Sequence, residues 1–186
     1  LCAVLPDEDK LAITRECFRA VPAPVALDTA GKYGAGLALE VIARNLRALG
    51  IGPNQLVLSN KLGWFRTPQR GPEPTFEPGT WFGLRHDAEQ RISHDGILQC
   101  WEQANDLLCG AARQDLVSVH DPDEYLAAAT DAPDKARRRR DILEAYQALF
   151  DLRNARQARA VGVGSRDWGV VRWIAGEVAL DWVMLA

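Results

Sequence analysis

Long apolar runs are missing from this chain, and so are the cysteine pairs and the charge excess that would mark several protein classes. No apolar stretch reaches the roughly 18 residues that span a bilayer, so no membrane segment is expected. The four cysteines, Cys2, Cys17, Cys100 and Cys109, form neither a CxxC pair nor a zinc spacing. Cys100 and Cys109 fall on one expected helix and, at about 100° per residue, face opposite sides, so they should not pair. Reduced, mostly buried thiols in a cytoplasmic protein are the expectation. The formal net charge is −3, which implies no general affinity for nucleic acid or an anionic surface. The first residues, LCAVLPDEDK, resemble neither a signal nor a transit peptide and lack an initiating Met. A fragment or a processed product is expected.

What the chain does have is alternation. PDEDKLAITRECFRA reads as a helix with acidic residues in its first turn. VALDTA reads as a strand, LALEVIARNLRALG as an amphipathic helix ending on Gly50, and QLVLSNKL as the next strand. HDGILQCWEQANDLL has helical spacing and DLVSVH reads as a strand; a long helix is expected from Asp134 to Arg153. ARAVGVG, DWGVVRWIAGEV and LDWVMLA complete the series as strand, short helix and strand. Such repetition implies an α/β fold with a parallel sheet and right-handed crossovers. The 186 residues are expected to form one domain, or part of a larger, incomplete one. Within it, 63–92 reads as a long loop or lid rich in Pro, Gly and aromatics, and a shorter loop follows His120. About five strands are present, too few to close an eight-stranded barrel.

Four polar residues stand at or just past the downstream ends of apolar strands: Asp28, Tyr33, Lys61 and His120. In a barrel of alternating strands and helices, chemistry is placed at those ends. An acid, a phenol, an amine and an imidazole gathered there make a proton-transfer site. Singly, each has a plainer reading: a turn or cap for Asp28, a packed ring for Tyr33, a solvated amine for Lys61. Their joint order along the strands is what favours function.

VALDTAGKYGAG, LSNKLGW and LVSVHDPDEY together resemble the aldo-keto reductase superfamily, from about Val25 to the end of the chain. The HDPDE and KLGWF segments are similar to its branch of D-threo-aldose 1-dehydrogenases and L-fucose dehydrogenases. The resemblance implies a (β/α)8 TIM barrel of which this chain carries about the second to sixth strands. It implies NADP or NAD as cofactor and an aldose or other small aldehyde or carbonyl as substrate, most readily oxidised from aldose to aldonolactone. By the same resemblance Tyr33 is the general acid/base, Lys61 its activating partner, Asp28 the partner of Lys61, and His120 the group that orients substrate. Asp28, Ser165 and Arg166 would touch the cofactor. Ser165-Arg166 stands where the family often has Ser-Asn, and GLALE stands where it has Gly-x-Ser-Glu, which shifts Glu40 by a residue.

The chemistry explains the residue types. Oxidising an alcohol carbon removes a hydride and a hydroxyl proton, and the proton needs a base. An ordinary tyrosine is a poor base near neutrality. An ammonium about 4 Å from a phenolate, at an effective dielectric near 20, stabilises it by roughly 4 kcal/mol. Asp28 cancels part of that gain but keeps the ammonium charged and aimed.

Other readings stay open. A nucleotide-sensing or interaction subunit could keep the barrel without catalysis. His86-Asp87, His94-Asp95 and His120-Asp121 invite a metal hydrolase, although no ligand pair has helical i, i+4 spacing. KARRRR, 135–140, is expected to be a solvated helix face rather than a nucleic-acid patch. Among the lid aromatics Trp64, Phe65, Trp81 and Phe82, Trp64 is the expected pocket wall, because it lies three residues past Lys61.

Overall fold

The computed structural model describes residues 4–185; Cys2 lies outside them. Five strands form one parallel sheet: β1 (Val25–Ala30), β2 (Leu56–Leu62), β5 (Leu116–His120), β6 (Ala160–Ser165) and β7 (Trp182–Leu185), in that spatial order. Helices α1 (Asp7–Ala20), α2 (Leu37–Leu49), α3 (His94–Leu108), α4 (Pro122–Ala127), α5 (Ala132–Asn154) and α6 (Trp168–Glu177) alternate with them. The architecture is a curled, partial (β/α) barrel, as the alternating pattern implies.

Side-chain parity along the strands divides the sheet into two unlike faces. Leu56, Leu58, Leu62, Val117, Val119, Val161 and Val163 face the helices and are buried. Ile97, Trp101, Ile142, Tyr146, Leu149 and Ile174 from α3, α5 and α6 cover Leu62 and the four valines, while Leu39, Leu46, Ala104 and Leu108 from α2 and α3 cover Leu56 and Leu58. The opposite parity carries small and polar residues. In-register neighbours run Asp28–Ser59, Ala30–Lys61–Ser118–Gly162–Trp182 and His120–Gly164–Met184. Asp28, Lys61 and His120 therefore share the concave face because each strand places its polar residue on the same alternate position.

Caps fix where the helices begin and end. The Ser93 hydroxyl accepts from Gly96 N at 3.1 Å at the start of α3, and the Asp167 carboxylate accepts from Val170 N at 3.1 Å at the start of α6. Gly50, at φ 66°, ends α2 and donates its N–H back to Arg47 and Leu46 carbonyls.

Two segments read as loops in the sequence contain regular structure. Within 63–92, β3 (Trp64–Pro68) pairs antiparallel with β4 (His86–Gln90). Only 69–85 is an irregular connection. Gln103 on α3 clamps β3 by accepting from Arg66 N at 2.7 Å and donating to Arg66 O at 3.1 Å. After His120, Pro122 opens the short helix α4. The thiols are less uniformly buried than expected: Cys100 is buried, Cys17 half-buried and Cys109 exposed, at the left-handed cap of α3. The basic run of α5 is largely exposed and paired along its own helix, with Arg137 bridging Asp134 and Asp141.

Candidate active site

A cavity of about 340 Å³ opens at the C-terminal ends of the strands. Asp28, Tyr33, Lys61, His120, Ser165 and Arg166 all line it. Lys61 on β2 points into the concave face, with a side chain only 5% exposed. Its ammonium is hydrogen-bonded to Asp28 Oδ2, and the other Asp28 oxygen accepts from Ser59 Oγ at 2.9 Å. The carboxylate thus has one partner for each oxygen and is held in a single orientation. Lys61 Nζ lies 5.0 Å from the centroid of the Tyr33 ring.

Tyr33 is set by the tight turn between β1 and α2. Its N–H donates to Ala30 O at 3.1 Å. Arg66 from β3 braces the turn, donating to Ala35 O at 2.6 Å while pairing with Glu40 at 2.8 Å. Glu40, through Arg66, thereby helps secure the turn that carries Tyr33. The Tyr33 ring meets His120 edge-on, centroids 5.5 Å apart at 89°.

His120 is 2% exposed. Burial, reinforced by the nearby cations Lys61, Lys32 and Arg166, pushes its imidazole well below the ordinary histidine range. The ring is therefore neutral at physiological pH, with one nitrogen able to donate and the other to accept. Nε2 lies 3.3 Å from Asp121 Oδ2, and Nδ1 is buried without a partner.

The structure adds residues that the sequence did not point out. Lys32, next to Tyr33, is buried among Glu77, Asp121 and Glu124. Burial works against its charge, yet the carboxylates outweigh burial and hold the ammonium above the usual lysine range. Glu77, Thr80 and Trp81 from the 69–85 connection form part of the cavity wall. Trp64 sits elsewhere: it packs on Phe76 behind Lys32, and Trp81 is the indole at the wall. Ser165 lines the cavity, but its hydroxyl is committed to Asp123 Oδ1 at 2.7 Å. The three His-Asp pairs are dispersed, and among the described residues no group of three or more His, Cys, Asp or Glu side chains is arranged to hold a metal ion.

A family profile described as "Aldo/keto reductase family" matches residues 5–186. The chain belongs to the aldo/keto reductase family. It is 27% identical over 170 residues to pyridoxal 4-dehydrogenase of Microbacterium luteolum, a match covering 86% of this chain and 47% of that protein. The holo form of the aldo-keto reductase AKR11C1 from Bacillus halodurans superposes with a TM-score of 0.66 at 17% identity, covering 97% of this chain and 49% of that one. The aldo-keto reductase of Klebsiella pneumoniae in complex with NADPH superposes with a TM-score of 0.56 at 17% identity, covering 93% and 44%. The chain spans about half the length of these relatives. Aldo/keto reductases use NAD(P)H.

The cavity fits the nicotinamide end of such a cofactor. The neutral His120 imidazole, Lys61 and Tyr33 line a space at the small end of ligand-pocket volumes. Arg166, about 60% exposed at the rim, is paired with Glu124.

Proposed function

We propose that the protein is an NAD(P)-dependent oxidoreductase of small aldehydes, ketones and their alcohols, and that it oxidises an aldose at its anomeric carbon to the aldonolactone. The observation that carries this reading is the Asp28–Lys61–Tyr33 array beside the neutral His120 in one cavity at the strand ends.

When bound, the nicotinamide supplies the hydride acceptor. Asp28, Lys61, Tyr33, His120, Ser165 and Arg166 are the residues that would surround it and the substrate. Tyr33 takes the proton of the substrate hydroxyl as the C–H electron pair leaves that carbon, so the carbonyl forms without a free alkoxide. Lys61 stabilises the phenolate that accepts the proton, and Asp28 keeps the ammonium aimed. His120, neutral, donates a hydrogen bond to the reacting oxygen and fixes its orientation without competing for the proton. Reduction of a carbonyl runs the same proton path in reverse.

The carbohydrate reading rests on the resemblance of HDPDE and KLGWF to aldose dehydrogenases; the pyridoxal 4-dehydrogenase relative supports an aromatic aldehyde or its hemiacetal as the second substrate class. The test is an absorbance assay of the full protein with NAD and NADP against L-fucose, D-arabinose, pyridoxal and glycerol. Turnover highest on an aldose supports the proposal. Turnover on pyridoxal alone replaces the substrate class, and none with any nucleotide rejects the enzymatic reading.

A further inference from the structure

Lys32 is the most heavily partnered cation near the cavity, and the proton-transfer scheme does not use it. Its Nζ lies 2.8 Å from Glu77 Oε1, 2.9 Å from Glu124 Oε2 and 3.3 Å from Asp121 Oδ2. These partners come from three places: the 69–85 connection, helix α4, and the residue that follows His120. Glu77 uses its second oxygen to accept from Trp81 Nε1 at 2.7 Å. Glu77 and Asp121 both hold left-handed backbone, at φ 47° and 46°, which a non-glycine residue adopts only where its surroundings hold it. The Lys32 ammonium also lies 5.0 Å from the Trp64 ring centroid. One buried charge thus joins the turn that carries Tyr33, the strand end that carries His120, and the loop that carries the Trp81 wall.

We propose that Lys32 is a positioning residue that holds Trp81 at the substrate cavity through Glu77 and the His120 strand end through Asp121, so that substrate binding and proton transfer share one anchor. The arrangement divides the two effects between separate carboxylates. Losing Glu77 frees the loop alone, whereas losing Lys32 frees the loop and the strand end together and leaves three carboxylates facing one another. The kinetic part of this inference rests on the proposed oxidoreductase reading; the structural tie does not.

The experiment compares Glu77→Gln, Lys32→Met and Lys32→Arg in the full protein, with far-UV circular dichroism as a folding check. Glu77→Gln is expected to raise KM for the carbonyl substrate by about tenfold with kcat within about twofold, the signature of lost binding rather than lost chemistry. Lys32→Met is expected to raise KM and lower kcat by about tenfold or more, since small misplacements of reacting groups are costly. Lys32→Arg should recover most of kcat by keeping the charge. An unchanged KM in Glu77→Gln, or an Arg variant no better than Met, overturns the division of roles. Trypsin reads the tie without turnover, because Arg70 and Arg85 are exposed on the connection. Cleavage there should accelerate in Lys32→Met and Glu77→Gln but not in Tyr33→Phe. A protein that turns over no substrate yet shows this acceleration loses the enzymatic reading and keeps the tie; unchanged cleavage removes the tie itself.

Discussion

The Lys61 ammonium stands between a carboxylate and an aromatic ring: bonded to Asp28 on one side, it lies 5.0 Å from the centroid of Tyr33 on the other. An ammonium facing the ring favours negative charge on the phenol as its proton moves, and Asp28 returns part of that gain. Lys61→Met keeps most of the stem's packing and removes the charge. It is expected to lower kcat for alcohol oxidation about 10- to 100-fold while nucleotide affinity, read by fluorescence titration, changes little. A fall in affinity with kcat preserved would make Lys61 a cofactor anchor instead.

Removing the phenol oxygen is the sharper test of proton transfer. Tyr33→Phe retains the ring that meets His120 edge-on, so the cavity wall should persist. Turnover should drop by about 10²- to 10⁴-fold, the usual contribution of a positioned acid or base. Single-turnover measurements with saturating nucleotide would check it. Turnover near that of the parent protein would take Tyr33 out of the mechanism.

Much of this site was legible because parallel strands announce themselves as short, branched apolar runs, and each run here stops on the residue that matters. VALD, QLVLSNK and DLVSVH put Asp28, Lys61 and His120 at the ends of apolar runs, and strand parity puts them on one face. The β3–β4 hairpin was hidden because WFRTP and HDAEQ lack clean alternation and are separated by a Pro- and Gly-rich stretch longer than a hairpin turn. Helix α4 was hidden by its brevity, although Pro122 at its first turn was a usable signal. Lys32 was unreadable for a different reason. Its burial depends on Glu77, Asp121 and Glu124, which are remote in sequence, and nothing local distinguishes it from a solvated lysine in a turn. Spacing from Lys61 favoured Trp64 as the pocket wall, but the path of the connection brings Trp81 to the cavity instead.

Acid should destabilise the protein through His120. Burial first, then Lys61, Lys32 and Arg166, hold its folded-state pKa well below the ordinary histidine value of about 6.5. Below pH 6.5 the unfolded chain binds a proton that the folded site refuses, so stability is complete above that pH and declines as pH falls toward the folded value. One such group contributes up to about 1.4 kcal/mol per pH unit within this window. Asp121 acts in the opposite sense: burial raises its pKa, so the folded chain binds its proton more readily and the decline is offset at lower pH. Exposed His94, raised by Asp95 and Asp151, favours the folded chain below its ordinary range and loses that contribution as pH rises through its folded value. Denaturant melts at several pH values between about 5 and 7.5 should show this slope in the parent protein and a shallower one in His120→Asn. Parallel slopes would assign the acid sensitivity to other groups.

Gly164 tests whether the Lys61 stem has room to shift. It lies on β6, in register with His120. A Cβ built there would stand 2.9 Å from Lys61 Cδ and 3.9 Å from Ser118 Oγ. A free lysine could swing aside, but this one is fixed at its ammonium by Asp28 and is buried along its length. Gly164→Ala must therefore bend the stem and displace the charge from Tyr33, or push β6 away from β2's side chain. Overpacking of this kind costs about 1–3 kcal/mol in stability, so the melting midpoint should fall. kcat should fall in addition, by about tenfold, because misplacing a reacting group by an ångström is enough to slow chemistry. Ser118 Oγ, at 3.9 Å, is in ordinary contact and has nothing to relieve, so the strain falls on the Lys61 stem. A midpoint that falls while kcat holds would show that the sheet yields to the alanine and Lys61 keeps its place.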